Sequence, residues 1–242
     1  MSTYRRFSGQ MSDDYDLLTR AYPEYGKLHE ILARTISGFF EDDKQREIRA
    51  LEIGCGSGIT SSYILGAREA LVLEAIDNEP VMIRKIAENL RKLIRQGRLK
   101  VREAGALEHL YTFPDDFFDL IATGFTFHNF TTRYRNDVIR EVFRCLRPGG
   151  LFVNADKYAL DDDERRFEEL GAQLNRFFDA FVPLGKYDLL KEWVVHNVAD
   201  QAPGHAMKEK EALSTMTKAG FVEVKLLYRH GLEAVVKGEK SN

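Results

Sequence analysis

Apolar residues recur at three- and four-residue steps from Asp13 to Phe40: Tyr15, Leu18 and Tyr22, then Leu28, Ile31, Leu32 and Ile36. That period is one face of an amphipathic helix. Pro23 restricts the residue before it and so divides the segment into two helices, preceded by a loosely held tail over residues 1–12. Beyond residue 45 the pattern changes to short apolar runs alternating with helical stretches. Residues 50–53, 70–76, 99–102, 117–122 and 151–155 read as strands. The helix over 81–94 opens on Pro80, where a missing N–H costs nothing. The helix over 135–146 stops at Arg147-Pro148-Gly149-Gly150. Residues 158–207 break the alternation with helices at about 162–181 and 186–199, punctuated by Pro183 and Pro203. A helix over 208–219 ends at Gly220. Two β-rich runs, 221–228 and 232–236, then flank Arg229-His230-Gly231, which predicts an antiparallel hairpin.

Strand–helix alternation of this kind predicts an α/β fold with a doubly wound, mostly parallel seven-stranded sheet and a closing antiparallel hairpin. The chain divides into an N-terminal helical lid (1–44), a Rossmann-like core (45–157), a helical insertion placed to cover a ligand crevice (158–207), and the last helix with the hairpin (208–242). For the first segment, a packing helix on the sheet is the alternative to a lid, and Tyr15 and Tyr22 serve either.

Composition bounds the function. The chain has 242 residues, of which 44% are hydrophobic and 30% charged, as expected of a globular protein. The net charge of −3 does not mark a nucleic-acid binder. The basic run from Arg84 to Arg102 is interleaved with Glu88 and backed by Leu90, Leu93 and Ile94, which describes a solvated helix face. The residues before Asp16 are polar, so they form neither a signal peptide nor an anchor, and no apolar run is long enough to span a bilayer. Two cysteines without ligand spacing fit a reducing cytoplasm and no metal. A homodimer is compatible with all of this.

The chemistry starts at Glu52-Ile53-Gly54-Cys55-Gly56-Ser57-Gly58, a strand end running into glycines at every second position. Such a loop turns sharply and lets a ligand approach the main chain. The spacing is not G-x-G-x-x-G and no Gly-Lys-Ser/Thr follows, so neither a dinucleotide nor a phosphate loop is written here. Glu52 would repel pyrophosphate and suits a cationic or zwitterionic ligand. Asp77, ending the second strand, can accept both hydroxyls of a ribose; its alternative is a helix cap before Pro80. Asn78 and Met82 would flank an adenine. Cys55 reads as a small buried loop residue.

The loop resembles motif I of the class I S-adenosylmethionine-dependent methyltransferases, and the resemblance runs over about residues 45–237. Asp77 matches the acidic residue of the second motif. Ala104-Gly105-Ala106 stands where many members have Gly-Asp-Ala, so Gly105 and Ala106 are carried over without the adenine-binding Asp. Phe118–Ile121 with Thr123–Asn129 matches the fourth motif, and Leu146–Gly150 and Ala219-Gly220-Phe221 match later segments. Asp14-Tyr15-Asp16, Tyr22-Pro23-Glu24-Tyr25, Asn154-Ala155-Asp156 and the Arg-x-x-x-x-Ala-Val ending are similar to relatives of the carboxy-S-adenosylmethionine synthases. The arginine that holds the extra carboxylate in those proteins falls at Asn197 here.

The resemblance implies S-adenosyl-L-methionine as cofactor, S-adenosyl-L-homocysteine as product and a small-molecule O, N or C nucleophile as acceptor. Glu52, Gly54, Cys55, Gly56, Ser57, Gly58, Asp77, Asn78, Met82, Gly105, Ala106, Thr123, Tyr15 and Tyr22 are the expected cofactor residues. A base is needed only for an acceptor that carries a proton at neutral pH. His128, after the fourth strand, is the candidate, with a structural histidine as its alternative. Asp156, after the fifth strand, either orients the acceptor or caps the next helix. Two rival functions stay open: a carboxy-S-adenosylmethionine synthase-like enzyme serving tRNA wobble-uridine modification, and a non-catalytic cofactor-binding module.

Overall fold

Parallel strands buried on both faces need near-continuous apolar runs, and the central strands of this chain have them. The computed structural model describes residues 15–42 and 46–242. The expected tail, the helix start at Asp13 and Asp14, and the 44/45 boundary lie outside the described residues, as does the side chain of Tyr15. Strands β1 (Ile48–Ile53), β2 (Leu71–Asp77), β3 (Leu99–Glu103), β4 (Phe118–Gly124), β5 (Leu146–Lys157), β6 (Val222–His230) and β7 (Glu233–Glu239) form one sheet in the order β3-β2-β1-β4-β5-β7-β6. β7 runs antiparallel to β5 and β6, and the other pairings are parallel. The predicted fold class is the observed one.

Register aligns the functional edge. Ile53 pairs with Ile76 on one side and Thr123 on the other, and Thr123 pairs with Asn154. The carboxyl ends of β2, β1, β4 and β5 are therefore level, and the strand order reverses between β1 and β4. That reversal opens the crevice in which doubly wound sheets bind ligands.

Helices cover both faces. Helix α1 (Tyr25–Phe39) buries Leu28, Leu32 and Ile36 in a cluster with Leu73, Leu120 and Val153. Each such side chain contributes about 1.5–3 kcal/mol by leaving water. Helix α2 (Ile59–Ala67) lies beside α1, joined by His29: its Nδ1 donates to the Tyr25 carbonyl (2.7 Å) and its Nε2 accepts from Thr60 Oγ1 (2.9 Å). Burial holds this imidazole neutral, with its pKa pulled down to about 4. The opposite face packs Ile53, Ile76, Ile121 and Phe152 against Val138 and Val142 of a helix over Thr132–Cys145.

Three local differences from the sequence reading have physical causes. The helix expected over 81–94 is split into α3 (Pro80–Asn89) and α4 (Arg91–Arg95), because Leu90 leaves the helical region and Asn89 Nδ2 donates to the Ser57 carbonyl (3.0 Å). A short helix, α5 (Ala106–Leu110), follows Gly105. Arg147-Pro148-Gly149-Gly150 does end the helix α6 (Thr132–Cys145), but it continues as the start of β5, where Gly149 N donates to the Lys240 carbonyl and Lys240 N to the Gly150 carbonyl.

The insertion consists of α7 (Asp163–Phe181) and α8 (Tyr187–Asp200), whose Phe177, Phe181, Leu189 and Trp193 join the α1 side of the core. α9 (Glu209–Ala219) leads into the hairpin. Its turn is two residues, Gly231-Leu232, tighter than expected because His230 and Glu233 already pair. No helix among the described residues is long and apolar enough to cross a membrane.

Candidate active site

The glycine loop hangs from β1 by its neighbour β2: Gly54 N and Cys55 N both donate to the Ile76 carbonyl (2.8 and 2.9 Å). Gly54 has φ +74° and its Cα lies against Thr126, so that a β-carbon there would stand 2.2 Å from Thr126 Oγ1. At Gly56, φ +50°, a β-carbon would meet nothing within 4 Å, which leaves the main chain open on the crevice side. Cys55 and Ser57 are buried, and Gly58 is the residue before α2. Asp77 lies directly across: Oδ2 accepts from Gly56 N and Oδ1 from Glu79 N, each at 2.9 Å. Burial raises the Asp77 pKa, and the backbone donors at Glu79 and Gly56 oppose the rise. The carboxylate thus ties the loop to the start of α3, where Met82 is buried and Asn78 is exposed.

Glu52 is fully buried beneath the loop. Ser61 Oγ donates to Oε2, while Oε1 has no hydrogen-bond partner among the described residues. Burial pushes this carboxyl up to about 8, with Asp77 adding to the rise and Ser61 opposing it. A buried carboxyl oxygen left without a hydrogen bond costs about 1–3 kcal/mol and is the kind of group a ligand satisfies. The folded chain keeps a proton on Glu52 between about pH 4.5 and 8 that the unfolded chain has released, so stability falls as pH rises across that window. In Glu52→Gln this loss disappears. Wild type is expected to lose roughly 2–4 kcal/mol more than the variant between about pH 5 and pH 8, read from denaturant midpoints. Parallel curves for the two proteins would overturn the assignment.

Other expected cofactor residues are spread around this edge. Gly105 caps α5, with Ala104 N donating to the Asp77 carbonyl (2.9 Å), and Ala106 is buried against Ile53 and Ile76. Thr123 is buried beside Asn154 in register, and alternation along β1 and β4 puts it on the sheet face opposite Glu52. Tyr22 reaches in from the segment before α1. Its hydroxyl donates to Asn197 Oδ1 (3.3 Å), and its ring meets Phe125 and Phe177 edge-on.

On the far side of the loop, Gly124-Phe125-Thr126 carries the chain out of β4 with Phe125 at φ +49°, a strained value for a non-glycine residue. The turn is held by Asp156: Oδ2 accepts from Thr126 N (3.2 Å) and Phe127 N (2.7 Å), and Oδ1 from Lys157 N (2.7 Å). The same Oδ1 stands 2.5 Å from His128 Nδ1. His128 is therefore oriented by a buried carboxylate, with Nδ1 as the protonated nitrogen and Nε2 turned away from Asp156. Thr126 Oγ1, within reach of the Gly54 and Gly124 carbonyls (3.1 and 3.0 Å), joins this turn to the glycine loop.

Above His128 the insertion supplies His196 and Asp200, which the sequence reading did not assign to the site. Asp200 Oδ2 lies 3.8 Å from His128 Nε2, 3.6 Å from His196 Nε2 and 3.1 Å from Lys157 Nζ. Lys157 also donates to Asn197 Oδ1 (2.8 Å) and sits 5.6 Å from the Tyr22 ring centre. Burial works against the Lys157 charge, but Tyr22 and the Asp200 carboxylate outweigh it and hold the ammonium above its ordinary value. The one available signal was His196-x-x-x-Asp200, a spacing that puts both side chains on the same helix face.

The chain can be compared with known proteins on this basis. The model of a family described as "Methyltransferase domain" matches residues 51–154. A demethylmenaquinone methyltransferase of Leptospira interrogans is 23% identical over 154 residues, which is 62% of this chain and 61% of that protein. A carboxy-S-adenosyl-L-methionine synthase of Photorhabdus laumondii is 22% identical over 165 residues, 66% of this chain and 61% of its own length. The chain thus spans about three fifths of these curated relatives. A solved O-methyltransferase family protein from Burkholderia thailandensis superposes with a TM-score of 0.67 at 16% identity, covering 98% of this chain and 62% of that one. Residues 51–154, from the glycine loop to β5, match that domain model, and the chain resembles the class I S-adenosylmethionine-dependent methyltransferases in sequence and has a Rossmann-like fold.

Proposed function

We propose that the protein transfers the methyl group of S-adenosyl-L-methionine to a small-molecule O, N or C nucleophile and releases S-adenosyl-L-homocysteine. The observation that carries this reading is the linkage of the glycine loop, through Thr126, to a His128–Asp156 pair enclosed by Tyr22, Lys157 and Asn197. The residues present fit the cofactor: Glu52 offers a buried carboxyl oxygen without a hydrogen bond among the described residues, Asp77 and Gly56 a carboxylate and an open main chain, and Met82 an apolar surface. When bound, the cofactor supplies an activated methyl sulfonium. The protein's part is to align the acceptor, exclude water and handle the acceptor's proton. His128 is the residue for that last task, and Asp156, with its oxygens taken up by three backbone N–H groups and the imidazole, positions it. Two buried free thiols favour the cytoplasm.

Asp77→Ala is expected to weaken S-adenosylmethionine binding about 10- to 100-fold, since charge-assisted hydrogen bonds contribute about 1.5–3 kcal/mol. Calorimetric titration checks it, and an unchanged Kd removes Asp77 from the site. The function itself is tested by mass spectrometry of small molecules released from denatured protein, followed by acceptor screening for S-adenosylhomocysteine formation. A carboxylated sulfonium in that release supports a second reading, a carboxy-S-adenosylmethionine enzyme. The feature that favours this reading is the Lys157 ammonium bonded to Asn197, the residue that matches the arginine of those relatives in sequence. Release of NAD would sink both.

A further inference from the structure

We infer that His128, His196 and Asp200 form a site for one divalent transition-metal ion, with a coordination position left open toward the acceptor. His196 and Asp200 share one face of α8, and His128 faces them from the short turn after β4. The ligating atoms, Nε2 of both histidines and a carboxylate oxygen of Asp200, all lie within 4.8 Å of one another, and the three residues are buried. Ligands held about 2.1 Å from a shared ion stand about 3.4 Å apart in tetrahedral geometry. The 3.6 and 3.8 Å separations to Asp200 Oδ2 are already near that, and only the imidazole pair has to close further.

One further feature points to a ligand. His128 Nδ1 is fixed on the Asp156 carboxylate at 2.5 Å, the outer-shell arrangement that sets tautomer and direction in histidine metal ligands. Lys157 occupies the flank of Asp200 Oδ2 in this structure. An ion takes over that carboxylate, and the flexible lysine keeps Asn197 and the Tyr22 ring. Two histidines and one carboxylate select zinc, iron(II) or manganese and leave positions free for an exogenous oxygen.

The chemical consequence rests on the methyl-transfer reading, whereas ion binding does not. An enol or phenol oxygen bound to the ion gives its proton to solvent water. The resulting oxyanion, or its conjugated carbon, attacks the methyl, and the sulfur keeps the electron pair of the broken S–C bond. His128 then serves as a ligand, so the acceptor class narrows to molecules with an ionisable oxygen.

The test is metal uptake by the full chain. Purified protein is dialysed against zinc, manganese or cobalt(II), or anaerobically against iron(II), and metal is counted by plasma mass spectrometry. One ion per chain is expected for at least one metal, with a visible cobalt(II) spectrum of a four- or five-coordinate site. His196→Ala and Asp200→Asn should each lose affinity by at least about 100-fold, Lys157→Met should gain about tenfold, and His109→Ala, outside the cluster, should match wild type. Melting curves show which variants fold, and the wild-type cobalt spectrum stands without them. Substoichiometric uptake of every ion, an aquo-like cobalt spectrum, or unchanged uptake in both ligand variants overturns the site. S-adenosylmethionine titration of the same samples separates the two proposals: ion without cofactor binding retains this inference and removes the methyl-transfer reading, and the reverse removes this inference alone.

Discussion

His128→Ala lowers turnover of a proton-bearing acceptor by about 10²- to 10⁴-fold while the Kd for S-adenosylmethionine stays within about twofold. The imidazole is buried and oriented by Asp156, and its other near partner is Asp200 of α8 rather than the glycine loop. Its removal should therefore appear in kcat and leave cofactor binding alone. Single-turnover formation of S-adenosylhomocysteine against calorimetric cofactor titration gives the two numbers. The loss is expected whether the imidazole takes the proton itself or ligates an ion that does the same work. Asp156→Asn is the instructive companion. It replaces a carboxylate that accepts from Thr126, Phe127 and Lys157 N–H as well as from His128, so it should lower both kcat and stability. Unchanged turnover in His128→Ala, with any acceptor found to react, would reduce His128 to a structural histidine and favour the binding-module reading.

How much of this could be read beforehand depends on whether the signal is local. Strands β1 to β5 were legible because buried parallel strands are short apolar runs, and the hairpin because its turn is written in Gly231. The glycine loop and Asp77 were legible because backbone curvature and a carboxylate at a strand end are local demands. The start of β5 was not, since Pro148 and the two glycines read as a terminator until Lys240, from the far end of the chain, pairs with them. The roof of the site was illegible for the same reason. Asn197 was singled out as the place of the relatives' arginine and Lys157 follows the candidate Asp156, but His196 and Asp200 are ordinary polar residues on their own element. They become a buried cluster only when α8 folds back over the edge of β5, a contact set by packing of Trp193 and Phe177 rather than by any spacing. Tyr22 occupies an intermediate place: it was named as a candidate in the N-terminal helical segment, but its bond to Asn197 was not foreseen.

Gly54→Ala should abolish S-adenosylmethionine binding, with Kd raised more than about 100-fold, and cost roughly 2–4 kcal/mol of stability. Two effects add at this position. The residue sits at φ +74°, where an L side chain is strained by about 1–2 kcal/mol. The new methyl would also stand 2.2 Å from Thr126 Oγ1, 2.4 Å from Cγ2 and 2.8 Å from Cβ, distances that no rotation of the threonine relieves. Thr126 must then move, yet its hydroxyl is bonded to the loop and its N–H to Asp156. One methyl group thus pries the loop from the turn that carries His128, and cofactor binding and catalysis fail together. Gly56→Ala is the control that isolates the clash. It has a similar φ, +50°, but an open surrounding, so it should cost only the backbone strain unless the cofactor itself fills that space. A modest stability loss in Gly56→Ala together with a large loss of cofactor affinity would locate the ligand over Gly56. Wild-type affinity in Gly54→Ala would mean that the loop does not bind the cofactor at all.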